Sequence, residues 1–200
     1  MGLAITVGIL AELVEEDPEA ADEIREHLAA INELLRSSGL PEHREPTVLP
    51  PLESRNDVEG FPYSCLHHLR RFYAHCMAFP GVVPGPFDAD EPPDKDVILI
   101  RINGPEHHLL WHSDCEGYYV PVSFPEVLES ETVIGDGVGS SQRLLAELTA
   151  IAKPLGVTLA DGVLTDEEAI RVTGAVDDGG ADATALMVWI SLFEAARLSV

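Results

Sequence analysis

The stretch that most constrains the fold is DPEAADEIREHLAAINELLRSSGLP, residues 17–41. Asp17 is placed to cap a helix, and Pro18 takes the first helical position, where no backbone N–H is needed. Acidic residues fill the first turn, and Gly39 followed by Pro41 stops the run. Ile24, Leu28, Ile31 and Leu35 recur at helical spacing and form one stripe to be buried, with the carboxylates on the solvated side.

Other elements arrange themselves around this helix. LAITVGIL is β-branched and apolar and reads as a core strand that turns quickly into helix at AELVEED. YSCLHHLRRFYAHCMAF predicts a second helix with Leu66, Leu69, Tyr73 and Cys76/Met77 along one side. DVILIRI, HHLLWH and GYYVPVSF read as successive strands, the last two joined in a hairpin by SDCEG, with Pro121 marking an edge strand or a bulge. VIGDGVGSS reads as a flexible glycine turn opening a helix capped by Ser140 or Ser141. TDEEAIRVTG is a shorter helix with Thr165 as cap and Glu168 at the capping-box position. The chain closes on the apolar helix ADATALMVWISLFEAARLSV. These elements predict an α+β fold, a small, mostly antiparallel sheet packed by several amphipathic helices. One globular domain over residues 1–200 is expected, with Pro- and charge-rich surface loops at about 40–62 and 80–95.

Charge narrows the function. Thirty-five acidic residues stand against 12 basic ones, a formal net charge of −23. Phosphate backbones and anionic membrane surfaces need Lys and Arg clusters, so neither nucleic acid nor membrane is an expected partner. The natural complement is a basic protein or a metal ion. The acidity is uneven: residues 61–125 hold six of the eight histidines and all three cysteines, so any chemistry belongs there. Cys65, Cys76 and Cys115 form no CxxC pair, which together with the lack of a secretory leader reads as a reducing, cytoplasmic setting. No run of about 18 apolar residues occurs.

The segment HHLLWHSDCEGYYVPVSF, residues 107–124, carries the candidate site. His108, His112, Asp114 and Glu116 gather binding groups around one turn. Cys65, His68, His112, Asp114 and Cys115 are all zinc-ligand types, and Cys65 and His68 stand one helical turn apart. Neither CxxC nor HExxH spacing is present. As a hairpin, the segment would put Leu109 and Trp111 on one face and His108, Leu110 and His112 on the other. The acidic neighbours of Cys115 would disfavour its thiolate, against a role as nucleophile. The glycine loop lacks the third glycine of a dinucleotide fingerprint and the lysine of a phosphate loop.

The combination of YSCLHHLRRFYAH, HSDCEGYYVPVSFPEVL and GVGSSQRLLAEL resembles a family of uncharacterised bacterial proteins, HSDCEGYY being its most specific part. The resemblance covers most of the chain and implies an architecture, with no activity attached.

The resulting expectation is an acidic protein that docks a basic protein partner, as an immunity protein or antitoxin docks a cationic toxin. No cofactor goes with that reading. The alternative is a zinc-binding protein or metal-dependent hydrolase built on the cluster at 107–116.

Overall fold

Asp17 both ends one helix and begins the next. After β1 (Gly2–Ala4), α1 (Ile9–Glu16) runs straight into α2 (Pro18–Ser37). The backbone N–H of Asp17 donates to the Leu13 carbonyl at 2.9 Å, while its carboxylate accepts the Ala20 N–H at 3.1 Å. The computed structural model describes residues 2–49, 53–56, 60–85, 95–113 and 115–200. Within it α2 buries Ile31 and Leu35 completely and Ile24 and Leu28 in part. The expected core strand at residues 3–10 shrinks to β1, which is largely exposed and, among the described residues, pairs only with β2 (Gly60–Pro62), antiparallel, Leu3 opposite Phe61.

Helix α3 (Tyr63–Ala78) follows, with Leu66, Leu69, Phe72 and Tyr73 in the core. Two of the expected strands are helices instead: α4 (Val97–Ile102) and α5 (His108–Trp111). α5 owes this to charged side chains from elsewhere in the chain, and α4 to its own N-cap residue, Asp96, held in place by Arg71 of α3. The buried Asp96 carboxylate accepts the N–H groups of Ile98 and Leu99 at 2.9 and 3.0 Å, which starts α4, and is held by Arg71 at 2.9 Å. These contacts outweigh the strand preference of the β-branched VILI run.

Three short strands make the second sheet: β3 (Tyr118–Val120), β4 (Leu128–Glu129) and β5 (Gly137–Ser140), in the order β3-β5-β4. Strand β3 runs parallel to β5, Tyr119 opposite Gly139, and β4 runs antiparallel to it. The expected hairpin at 107–124 therefore does not form; β3 finds its partner twenty residues downstream, and stops at an edge just before Pro121. The glycine stretch expected to be a flexible turn is the buried central strand. A Cβ on Gly139 would stand 2.4 Å from the Tyr119 ring, so only glycine lets the two strands approach.

Helices α6 (Ser141–Ala152), α7 (Asp166–Asp177) and α8 (Ala183–Ser199) complete the chain. Ser140 caps α6 by accepting the Arg143 N–H, and Thr165 caps α7 by accepting that of Glu168. Glu168 does not reciprocate; its carboxylate takes the Thr158 N–H and Arg171 instead. One apolar cluster joins α3, α5, α6, α7 and α8 around Trp189, whose indole N–H reaches the Leu148 carbonyl at 2.8 Å. A second packs Ile31 and Leu35 of α2 onto Val120, Val122, Phe124, Val133 and Val138. Eight α-helices among the described residues, with one antiparallel and one mixed sheet, make the fold α+β. No helix among these residues is long and apolar enough to cross a membrane.

Candidate functional site

Helix α5 is a single turn, and its ends are closed by side chains far away in sequence. Glu147, on the buried stripe of α6, accepts the N–H groups of His108 and Leu109 at 2.8 and 2.7 Å. Arg70, from α3, donates to the carbonyls of Leu109 and His112 at 2.8 and 2.5 Å. Tyr119 donates to the His108 carbonyl at 2.8 Å. Four of these five backbone groups would otherwise be orphaned in the interior; the His108 carbonyl also accepts the His112 N–H at 3.4 Å.

The two candidate histidines are part of this scaffold. His108 is fully buried, and its Nδ1 accepts the Ser140 N–H at 3.0 Å, which leaves the proton on Nε2. Burial pushes its pKa down to about 4, against the Pro125 carbonyl, which favours the charged ring. His112 is 5% exposed, lies flat on Tyr119 at 4.2 Å between ring centres, and sets its two nitrogens 3.0 Å from the Ser113 and Tyr118 carbonyls. Burial lowers its pKa as well, with Arg70 adding to the effect. Neither ring presents a nitrogen to solvent.

Other candidates are scattered. Glu116 and Cys115 are exposed, Cys65 and His68 are half-buried on α3, and Asp114 lies outside the described residues. Burial raises the Cys65 thiol and holds the Cys76 thiol up at about 11, the reverse of what a nucleophile needs. Among the described residues no group of three or more His, Cys, Asp and Glu side chains is placed to hold a metal ion. One strongly perturbed group is passed over by motif reading: Glu147, whose carboxyl is pushed up to about 7 by burial, against the two backbone N–H groups and Arg143. Its signal was its position between Leu144 and Leu148 on the apolar stripe of α6.

Carboxylates dominate the opposite kind of surface. Between Ile9 and Ser37 nine acidic residues meet two arginines. On α2, Glu19, Asp22, Glu23, Glu26 and Glu33 recur at helical spacing, all exposed, on the face turned away from Ile31 and Leu35. This row spans fourteen residues, about 21 Å of helix. Both arginines are taken up locally: Arg25 by Asp22 at 2.5 Å, and Arg36 by Glu33 and by Glu42 at 2.7 Å. Glu19, Glu23 and Glu26, like Glu12, Glu15 and Glu16 of α1, have no ion-pair partner among the described residues. The face is held rigid from behind, His27 bonding the Tyr118 hydroxyl at 3.0 Å and Asn32 bonding the His43 backbone twice, at 2.9 and 2.7 Å.

Two helices also end against their own dipole. Glu15 and Glu16 close α1, and Asp177 and Asp178 close α7, with no basic residue in either last turn. Negative charge there costs stability, about 0.3–1 kcal/mol per site.

A family model described as "Putative DNA-mimic protein" matches residues 1–200, and the chain belongs to that family. No curated protein and no solved structure matches the chain. This membership corrects two expectations. The reading as an immunity protein or antitoxin for a cationic toxin, and its metal-dependent hydrolase alternative, both give way. The expected partner changes with them, from a basic protein in general to a protein that binds DNA.

Proposed function

We propose that this chain acts as a DNA mimic whose carboxylate-bearing surface occupies the nucleic-acid site of a DNA-binding protein. The observation that carries the reading is the α2 face, a rigid row of five exposed carboxylates whose neighbouring basic residues are already neutralised. Glu19, Glu23 and Glu26, the members without an ion-pair partner among the described residues, stand four and three residues apart, giving about one uncompensated negative charge per 5 Å of axis, against one phosphate per 3.4 Å along a single DNA strand. A surface selected only for solubility has no reason to place charge where it weakens helices, as at the ends of α1 and α7.

Such a surface differs from DNA in carrying no dense condensed counterion layer, so its complexes should dissociate less steeply with salt than those of DNA itself. The test is affinity capture on the immobilised protein from an extract of its source, eluted stepwise with duplex DNA and then with salt. Proteins that bind DNA should be retained and released by duplex DNA. Retention that duplex DNA leaves untouched, or no retention at low salt, overturns the reading.

A further inference from the structure

A second surface combines charge with an exposed apolar residue. Along α7, Asp166, Ile170, Thr173, Gly174 and Asp177 fall on one stripe of the helix, and with Arg55 they line an open groove of about 550 Å³. The opposite wall, residues 53–56, is tied down to α8. The Arg55 backbone N–H donates to Glu194 at 2.8 Å, the Asn56 amide donates to the Ser191 hydroxyl at 3.1 Å, and Arg197 donates to the Glu53 carbonyl at 2.8 Å. Glu194 is 1% exposed and is gripped by Arg197 at 3.0 and 2.8 Å. The groove is therefore built before anything enters it.

Its lining is asymmetric. Asp166 is bonded to the Arg55 guanidinium at 2.7 Å, whereas Asp177 has no ion-pair partner among the described residues. Ile170 is 74% exposed, and at Gly174 the place of a Cβ has nothing within 4 Å. Ile170 and Asp177 are seven residues apart, two turns and about 10 Å.

We infer that this groove docks an α-helical segment of a partner protein. An apolar side chain of that segment covers Ile170, and a lysine or arginine two turns along it meets Asp177. Basic helices are the elements with which many proteins enter the DNA major groove, itself just wide enough for one. The inference rests on the DNA-mimic reading for the choice of a basic helix as the occupant; the groove, its exposed Ile170 and its Asp177 charge stand apart from it.

The probe is a fluorescein-labelled, alanine-based 18-residue helix with one leucine and one lysine seven positions later, followed by fluorescence anisotropy. Three comparison helices carry alanine for the leucine, glutamate for the lysine, or both. Wild-type protein should bind the leucine-lysine helix saturably and prefer it to each comparison helix by about fivefold or more. Ile170→Asp and Asp177→Lys should each weaken it about tenfold, the scale of losing one buried side chain or one close charge pair. Glu19→Gln/Glu23→Gln/Glu26→Gln on α2 should leave it within about twofold while abolishing the retention of proteins released by duplex DNA. Equal binding to wild-type and Ile170→Asp protein, loss through the α2 variant instead, or no binding up to about 1 mM peptide overturns the groove. DNA-competed retention would survive those outcomes, so the two readings fail separately.

Discussion

Glutamine at position 147 would remove a charge that the folded interior holds at a cost. Glu147 is 7% exposed, and burial raises its pKa from 4.5 to about 7 although two backbone N–H groups and Arg143 favour the carboxylate. Between those two values the folded chain keeps a proton that the unfolded chain has released. Stability from this group therefore falls as pH rises from about 4.5 to 7 and is level above that. At about 1.36 kcal/mol per pH unit the loss is roughly 3 kcal/mol. His108 acts in the opposite sense. Its pKa is lowered from 6.5 to about 4, so the unfolded chain holds the extra proton and stability rises with pH across that window, by a similar amount. The two slopes offset one another in the wild-type protein between about pH 4.5 and 6.5. Glu147→Gln removes only the falling one. Glutamine can accept one of the two N–H groups but turns an N–H₂ donor on the other, so at pH 5 the variant should lie about 1–3 kcal/mol below wild type. By pH 8 that deficit should have closed or reversed, a relative change of roughly 3 kcal/mol. Urea unfolding followed by circular dichroism at pH 5, 6, 7 and 8 measures the difference directly. A gap between the two proteins that stays constant over this range refutes the assignment of a buried, titrating carboxylate.

Arg70→Met should destabilise by about 2–4 kcal/mol, because the buried carbonyls of Leu109 and His112 lose their donor, and Arg70→Lys should not restore both bonds; chemical denaturation of the pair checks this. Gly139→Ala sets a methyl against the Tyr119 ring within a buried strand and should cost about 1–3 kcal/mol, read as a lower melting temperature. Glu16→Lys and Asp178→Lys each place a cation at a helix C-terminus and should raise stability by about 0.3–1 kcal/mol in thermal scans. The Glu16 change should at the same time reduce retention of DNA-competed proteins, separating what these charges do for binding from what they cost the fold.

The acidic face was legible in the sequence; the network beneath it was not. Periodicity places Glu19, Glu23 and Glu26 opposite Ile31 and Leu35, and the capping residues Asp17, Ser140 and Thr165 act where local rules put them. The histidine cluster looked like chemistry because ligand types crowd together along the chain between 107 and 116. In space His108 and His112 turn their nitrogens inward, onto Ser140 and onto the Ser113 and Tyr118 carbonyls, and serve the backbone.

What the sequence by itself determined is whatever depends on neighbours within a few residues: the long amphipathic helix, its caps and stops, the sign of the surface and the α+β class. Tertiary structure alone decided the conformation of 107–112, where an aromatic run favours strand until Glu147 and Arg70 supply hydrogen bonds to the ends of a short helix, whereas at 96–102 a local cap, Asp96, starts the helix and the distant Arg71 only holds that cap in place. Glu147 and His108 are 39 residues apart, and no pattern of period 2 or 3.6 registers such a pairing. The strand order was likewise settled at a distance, where Gly139 lets Tyr119 lie against β5 and so joins β3 to a strand that reads locally as a loop.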